Sequence, residues 1–198
     1  GRTWKKILYV DDQTGVIELQ MHPTNPDILL AATYQRQRQI YDDGEPILSD
    51  GPGSGVWRTD DGGETWTRMG EEQGLYDGDM GRTGISFCGS QPNIVYLVTG
   101  GARLDDEFNG VWKSTDTGQT WEKVNDIAPR PMYYSQIRVA PSNPDIVYVL
   151  GVQLARSTDG GETFENVQMR GVHVDHHAMW IDPNDSDHVI LGNDGGLY

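Results

Sequence analysis

The sequence is poor in several things, and each scarcity closes off a class of protein. There is one cysteine, Cys88, in 198 residues. An internal disulfide framework and a multi-cysteine zinc site are therefore excluded. Basic residues are few: 15 Lys and Arg stand against 30 Asp and Glu, a net charge of −15. Such a surface repels phosphate backbones and anionic membranes, so no nucleic acid partner is expected. No run of about 18 apolar residues occurs, so no helical membrane insertion is expected in this segment. Sustained 3.6-residue periodicity is also missing, and helices should be minor. What the chain does have is 25 glycines, six tryptophans and nine tyrosines. Disordered chains are poor in aromatics, so this is a folded, glycine-rich, acidic protein.

A repeat organises the chain. Arg58-Thr59-Asp60-Asp61-Gly62-Gly63-Glu64-Thr65-Trp66 recurs as Lys113-Ser114-Thr115-Asp116-Thr117-Gly118-Gln119-Thr120-Trp121 and as Arg156-Ser157-Thr158-Asp159-Gly160-Gly161-Glu162-Thr163-Phe164. A second element recurs out of phase with it. Pro23-Thr24-Asn25-Pro26-Asp27 and Pro141-Ser142-Asn143-Pro144-Asp145 each precede a short apolar or β-branched run, with weaker copies at Gln91–Tyr96 and Pro183–Ile190. A third is Gly55-Val56-Trp57, Gly110-Val111-Trp112 and Gly196-Leu197-Tyr198. In order, one unit reads strand, Pro-Asn turn, strand, glycine, short strand, Asp-Gly turn, strand. Four short antiparallel strands in 40–50 residues, repeated, describe a β-propeller blade. The expectation is an all-β propeller segment of about four four-stranded antiparallel blades, part of a larger ring. Its repeats run over approximately 1–66, 67–121, 122–164 and 165–198. Gly1-Arg2-Thr3-Trp4 reads as the tail of a repeat and Asn193–Tyr198 as one left partway through, so the chain is expected to be an internal piece. Remaining blades of the parent ring are then expected partners, and open blade edges invite self-association.

The Asp-Gly turn has a mechanical reading. Glycine supplies the positive φ without strain, the aspartate accepts backbone N–H bonds inside the turn, and the Ser or Thr bridges the hairpin. The closing Trp is expected to wedge against the next blade.

These residues resemble the Asp-box, also called the bacterial neuraminidase repeat. The wider pattern is similar to the sortilin/VPS10-type group of Asp-box propellers, many of them labelled glycosyl hydrolase-like. That resemblance covers essentially the whole chain. It implies a propeller and a secreted, periplasmic or cell-surface location. The Phe-Arg-Ile-Pro motif of sialidases does not occur here.

Aligning the units on Pro26, Pro92, Pro144 and Ser186 superimposes candidate innermost strands at Gly15–Met21, Gly81–Phe87, Tyr133–Val139 and Asp175–Ile181. Val16, Arg82, Tyr134 and His176 then share one position at a rim, with Asp79, Arg130, Met132, His173 and Asp175 just upstream. The second strands add Tyr34-Gln35-Arg36-Gln37-Arg38 and Asn193-Asp194. Candidate ligand-binding residues are Arg36, Arg82, Tyr133, Tyr134, His173, His176, His177 and Asn193. Asp79, Asp175 and Asp194 are candidate catalytic carboxylates, since glycoside hydrolysis needs two carboxyl groups across the scissile bond. In an extended segment His173, Asp175 and His177 would share a face. They could hold a divalent metal, run acid–base chemistry, or tie a loop to its neighbours; no other cofactor is expected. Tyr41–Gly55 and Ala102–Asn109 interrupt the pattern as polar loops, and their acidic runs lack the spacing of an EF-hand. The function expected is an extracellular binding or scaffold propeller that recognises a protein, peptide or glycan at the rim. The alternatives are a glycoside hydrolase using rim carboxylates and a structural subunit of a surface assembly.

Overall fold

A computed structural model describes residues 1–36, 50–101, 107–130 and 132–198. Four antiparallel sheets follow one another along the chain. Blade 1 comprises β1 (Thr14–Met21), β2 (Leu29–Gln35), β3 (Gly55–Thr59) and β4 (Thr67–Met69). Blade 2 comprises β5 (Thr83–Phe87), β6 (Val95–Thr99), β7 (Gly110–Ser114) and β8 (Glu122–Asn125). Blade 3 comprises β9 (Gln136–Ala140), β10 (Asn143–Leu150), β11 (Ala155–Ser157) and β12 (Glu165–Asn166). Blade 4 has three strands rather than four: β13 (His176–Asp182), β14 (Asp185–Asn193) and β15 (Gly196–Leu197). Among the described residues the only helical element is a 3₁₀ turn at Glu71–Gln73.

The first strands pack on one another in succession, β1 on β5, β5 on β9 and β9 on β13. A cleft of about 330 Å³ runs between β5, β9 and β13, lined by Ser86, Arg138 and Trp180 among others. The four strands therefore fan around a common axis, as the sequence alignment requires. Gly84 shows how closely they approach. A Cβ there would sit 2.4 Å from the carbonyl oxygen of Ser135, so only glycine fits between β5 and blade 3. Nearby the Ser86 hydroxyl accepts the backbone N–H of Val139 at 3.1 Å.

Strand alternation builds the core. In β6, Val95 and Leu97 point into a buried cluster shared with Leu30, Val56 and Met69 of blade 1. Tyr96 and Val98, one residue out of step, enter the cluster shared with Ile137, Val139 and Val149 of blade 3. Tyr148 and Leu150 of β10 do the same against Met179, Ile181 and Leu191 of blade 4. A second strand sandwiched between two blades is buried on both faces, which is why β6 is apolar without alternating.

The three Asp-Gly hairpins are stapled alike. The Thr65 N–H and hydroxyl both donate to Asp61, at 2.9 and 2.7 Å. Thr120 does so to Asp116 and Thr163 to Asp159. Thr59, Ser114 and Ser157 each donate to the same aspartate and accept from the second glycine. These hydrogen bonds hold Asp61 and Asp159 at about 2, below the usual carboxylate range, Thr65 and Thr163 contributing most. The first turn residue also ties the hairpin to the Pro-Asn turn: Gly62 N–H donates to the Asp27 carbonyl, Thr117 to Asn93 and Gly160 to Asp145. Thr117 holds a left-handed φ of 68° that glycine supplies in the other two copies.

One expectation is corrected here. The closing aromatics pack on the preceding blade, not the next. Trp121 of blade 2 lies in the cluster with blade 1, and Phe164 of blade 3 packs against the cluster with blade 2. The second glycine of each hairpin faces the same way: a Cβ at Gly118 would meet Leu30, and one at Gly161 would meet Tyr96 and Val124.

Candidate functional site

The strand order sorts the loops. Each first strand runs toward the Pro-Asn turn, and the Asp-Gly hairpin returns to that same end. The loops between second and third strands, and those between blades, all emerge at the opposite rim. Arg36, Asp79, Arg82, Arg130, Tyr133, Tyr134, His173–His177 and Asp194 therefore lie on one rim of the arc. Gln37, Arg38 and most of the two inserted loops fall outside the described residues. What is described of the insertions is well bonded: Gln35 accepts from Gly53 N–H, and Asn109 accepts from Gly101 N–H.

The rim residues gather most densely at the seam of blades 3 and 4. Tyr134 is 1% exposed, and its hydroxyl donates to the Asp175 carboxylate across the seam. The His177 ring stacks on Tyr134 with centroids 5.1 Å apart and planes at 29°. Tyr133, 42% exposed, meets both edge-on, 5.0 Å from Tyr134 and 5.6 Å from His177. The Arg130 guanidinium lies 4.5 Å from the Tyr133 centroid, a cation–π contact that braces the ring. His177 Nε2 stands 3.6 Å from Asp194 Oδ1, an ion pair when the imidazole is protonated. Burial, together with the bond to Asp175 and its charge, pushes the Tyr134 phenol up to about 12. Tyr134 is therefore a hydrogen-bond donor at ordinary pH and not a phenolate nucleophile.

The backbone makes this arrangement possible. Arg130, Ser135 and Asp175 all hold left-handed φ, at 45°, 42° and 66°. The N–H groups of Tyr133 and Tyr134 both donate to the Arg130 carbonyl, a tight turn that presents two adjacent aromatics to one seam. The N–H groups of Asp175 and His176 donate to Val152 and Gly151 of blade 3.

The proposed metal trio is not assembled. β13 begins only at His176, and the left-handed Asp175 breaks the alternation that would have put His173, Asp175 and His177 on one face. Asp175 accepts from Tyr134, His173 Nδ1 lies 2.9 Å from the Val174 carbonyl, and His177 turns to Tyr134 and Asp194. Among the described residues no group of three His, Cys, Asp or Glu side chains is placed to hold a metal ion.

Two further candidates sit lower than a rim position suggests. His176 is 1% exposed, and its Nδ1 has no hydrogen-bond partner among the described residues. Burial pushes its imidazole pKa down, Asp175 opposing and His177 and His173 adding to the effect. Asn193 donates to the His173 carbonyl at 2.8 Å and so fixes a loop. Asp79 is exposed on the loop before β5 and makes no hydrogen bond or ion pair among the described residues. A cleft of about 310 Å³ lined by Lys6, Tyr9, Asp12 and Thr14 lies against blade 1 and shares no residue with the cluster.

Fold and rim together define a β-propeller segment with an aromatic and acidic seam. No family model matches the chain. The chain is 27% identical over 170 residues to the xyloglucanase Xgh74A of Acetivibrio thermocellus, covering 72% of this chain and 20% of that protein. It is 28% identical over 219 residues to a xyloglucanase of Paenibacillus sp, covering 94% of this chain and 19% of the other. It thus spans about a fifth of the length of these curated relatives. Among solved structures it resembles an ancestral GH74 enzyme, with a TM-score of 0.60 at 20% identity over 93% of this chain and 25% of the other. YCF48 bound to D1 peptide gives 0.56 at 15% identity over 92% and 49%. The structural likenesses establish a propeller fold.

Proposed function

We propose that the seam of blades 3 and 4 is a saccharide site, and that the chain is a piece of a carbohydrate-active propeller working outside the cell. The observation that carries this reading is the exposed wall of Tyr133 and His177, backed by the buried Tyr134, with Asp175 and Asp194 beside it. Sugars offer flat C–H faces to aromatic rings and hydroxyls to carboxylates, and such a wall supplies both. Xyloglucanases among the sequence relatives point to the same chemistry.

The test uses the full-length protein and xyloglucan oligosaccharides in calorimetry. Tyr133→Ala removes a ring that is 42% exposed and should weaken binding at least tenfold, while the loss of its edge contacts to Tyr134 and His177 lowers the unfolding midpoint only slightly. Unchanged affinity in that variant would remove the wall from the binding site.

Hydrolysis is the second reading, favoured by those same relatives. Asp175 and Asp194 approach the wall from two loops of blade 4, and Asp79 lies on the same rim. Release of reducing ends that disappears in Asp175→Asn or Asp194→Asn would support turnover. Binding without any release would leave recognition as the role.

A further inference from the structure

The seam of blades 1 and 2 carries a different chemistry on the same rim. The Tyr34 hydroxyl and the Nε atoms of Arg36 and Arg82 are buried and find no hydrogen-bond partner among the described residues. Tyr34 itself is only 5% exposed. Such atoms are rare, because a buried polar group without a partner costs about 1–3 kcal/mol. Tyr34 lies near the end of β2 and Arg36 just past it, while Arg82 immediately precedes β5. β2 packs directly on β5, so the three groups converge from two blades.

Their charges feel one another. Burial pushes the Tyr34 phenol up, the Arg36 and Arg82 cations both oppose that push, and the Asp50 charge adds to it. Burial pushes Arg82 down, Tyr34 and Glu18 oppose this, and Arg36 adds to it. Neither arginine is in an ion pair among the described residues. Two partly buried guanidinium groups thus act on one buried phenol with no ion-pair partner among the described residues, while the Asp50 and Glu18 charges reach Tyr34 and Arg82 only through the field. An anion between the arginines would satisfy the donors and cancel the repulsion.

We propose that the seam of blades 1 and 2 binds a carboxylate carried by a sugar acid, with Arg36 and Arg82 as a two-sided clamp and the Tyr34 hydroxyl as a third donor. A planar monoanion suits guanidinium forks, which pair two oxygens at once. The Glu18 charge in the same field disfavours a dianion such as phosphate. That the carboxylate belongs to a sugar rests on the saccharide reading of the neighbouring seam; the clamp itself does not. The ligand is then an acidic glycan whose uronate docks at one seam while neutral residues cross the other.

The experiment is calorimetry on the full-length protein with trigalacturonate, with neutral xyloglucan oligosaccharides, and with a short acidic peptide. Trigalacturonate should bind, and Arg82→Gln and Arg36→Gln should each weaken it at least tenfold while leaving neutral-glycan affinity within twofold. Tyr34→Phe keeps the ring and removes a hydroxyl that bonds nothing among the described residues. It should weaken trigalacturonate several-fold without lowering the unfolding midpoint, which keeps the test valid should an arginine variant misfold. Trigalacturonate affinity within twofold of wild type in all three variants overturns the proposal. So does Arg82-dependent binding of the peptide with none of the uronate. Arg82-dependent uronate binding with no neutral glycan bound would uphold the clamp and refute the saccharide role of the Tyr133 wall.

Discussion

The hydrogen bond from Tyr134 to Asp175 is the most exacting test of the seam between blades 3 and 4. Tyr134→Phe removes the donor and keeps the ring that stacks on His177 and meets Tyr133 edge-on. A hydrogen bond to a charged group contributes about 1.5–3 kcal/mol. Asp175 is only half-buried, so water competes for its carboxylate, and the lower end, about 1.5 kcal/mol, is expected. Asp175→Gly removes the acceptor but also relieves the left-handed φ of 66°, a conformation that costs a side-chain-bearing residue about 1–2 kcal/mol. Its net destabilisation should therefore be small, about 0.5 kcal/mol. In urea unfolding of the full-length protein, the double variant should be no less stable than Tyr134→Phe alone, a coupling of about 0.5–1.5 kcal/mol. The pH dependence supplies an independent signature. The phenol is raised to about 12 in the folded state from about 10 unfolded. Its contribution is fully present below pH 10 and is lost as pH rises through 12. Tyr134→Phe should flatten that alkaline loss. Strict additivity of the two single variants would show that the two side chains do not act on each other, and the seam described above would be wrong.

Two further outcomes follow from the same packing. Acid should destabilise the protein in two separate windows. His176, pushed down by burial, stabilises fully above its unfolded value near 6.5 and loses that contribution as pH falls through its folded value. Asp61 and Asp159, held at about 2, contribute above their unfolded value near 3.9 and lose it as pH falls through 2. His176→Asn should abolish the first window in a thermal scan across pH and leave the second intact. Leu97→Ala, at a fully buried position between blades 1 and 2, should cost about 2–5 kcal/mol in urea unfolding.

The architecture was legible because its signals are local. Each turn announces itself by residues whose backbone chemistry is special, and the candidate inner strands at Gly15–Met21 and Asp175–Ile181 fall within a residue of β1 and β13. Val95–Val98 read as a β-branched and aromatic run because both of its faces are covered. The site was legible as a rim but not as a set of contacts. Nothing local distinguishes Asp175 from an extended residue. Its left-handed backbone is imposed by N–H bonds from Asp175 and His176 to blade 3 and by the Tyr134 hydroxyl. That left-handed residue sits before β13 begins at His176, so His173, Asp175 and His177 are not on one extended segment and do not share a face, while they stay close to the wall. The wedge direction of Trp121 was equally hidden, since a hairpin does not reveal which neighbour it leans on. Tyr34 stands in the same rim run as Arg36 without being a candidate ligand residue, although an aromatic two residues before an arginine shares its face in an extended segment.

The two ends of each blade answer to different demands. At one end three hairpins repeat the same aspartate staple and the same bond to a Pro-Asn turn, because that end fixes the angle at which each hairpin meets the blade before it. At the other end no two inter-blade loops are alike. The seam of blades 1 and 2 there holds two arginines with no ion pair among the described residues, and the seam of blades 3 and 4 holds Asp175 and Asp194. A rim that is cationic at one seam and anionic at another has a direction. In a protein of net charge −15 the cationic seam is a local inversion of the field, so an anionic group is drawn to it and repelled from the far seam. A ligand acidic at one end and neutral at the other would then bind in one orientation only. Exchanging the signs, with Arg82→Glu at one seam and Asp194→Lys at the other, should reverse or abolish that orientation even where total charge is unchanged.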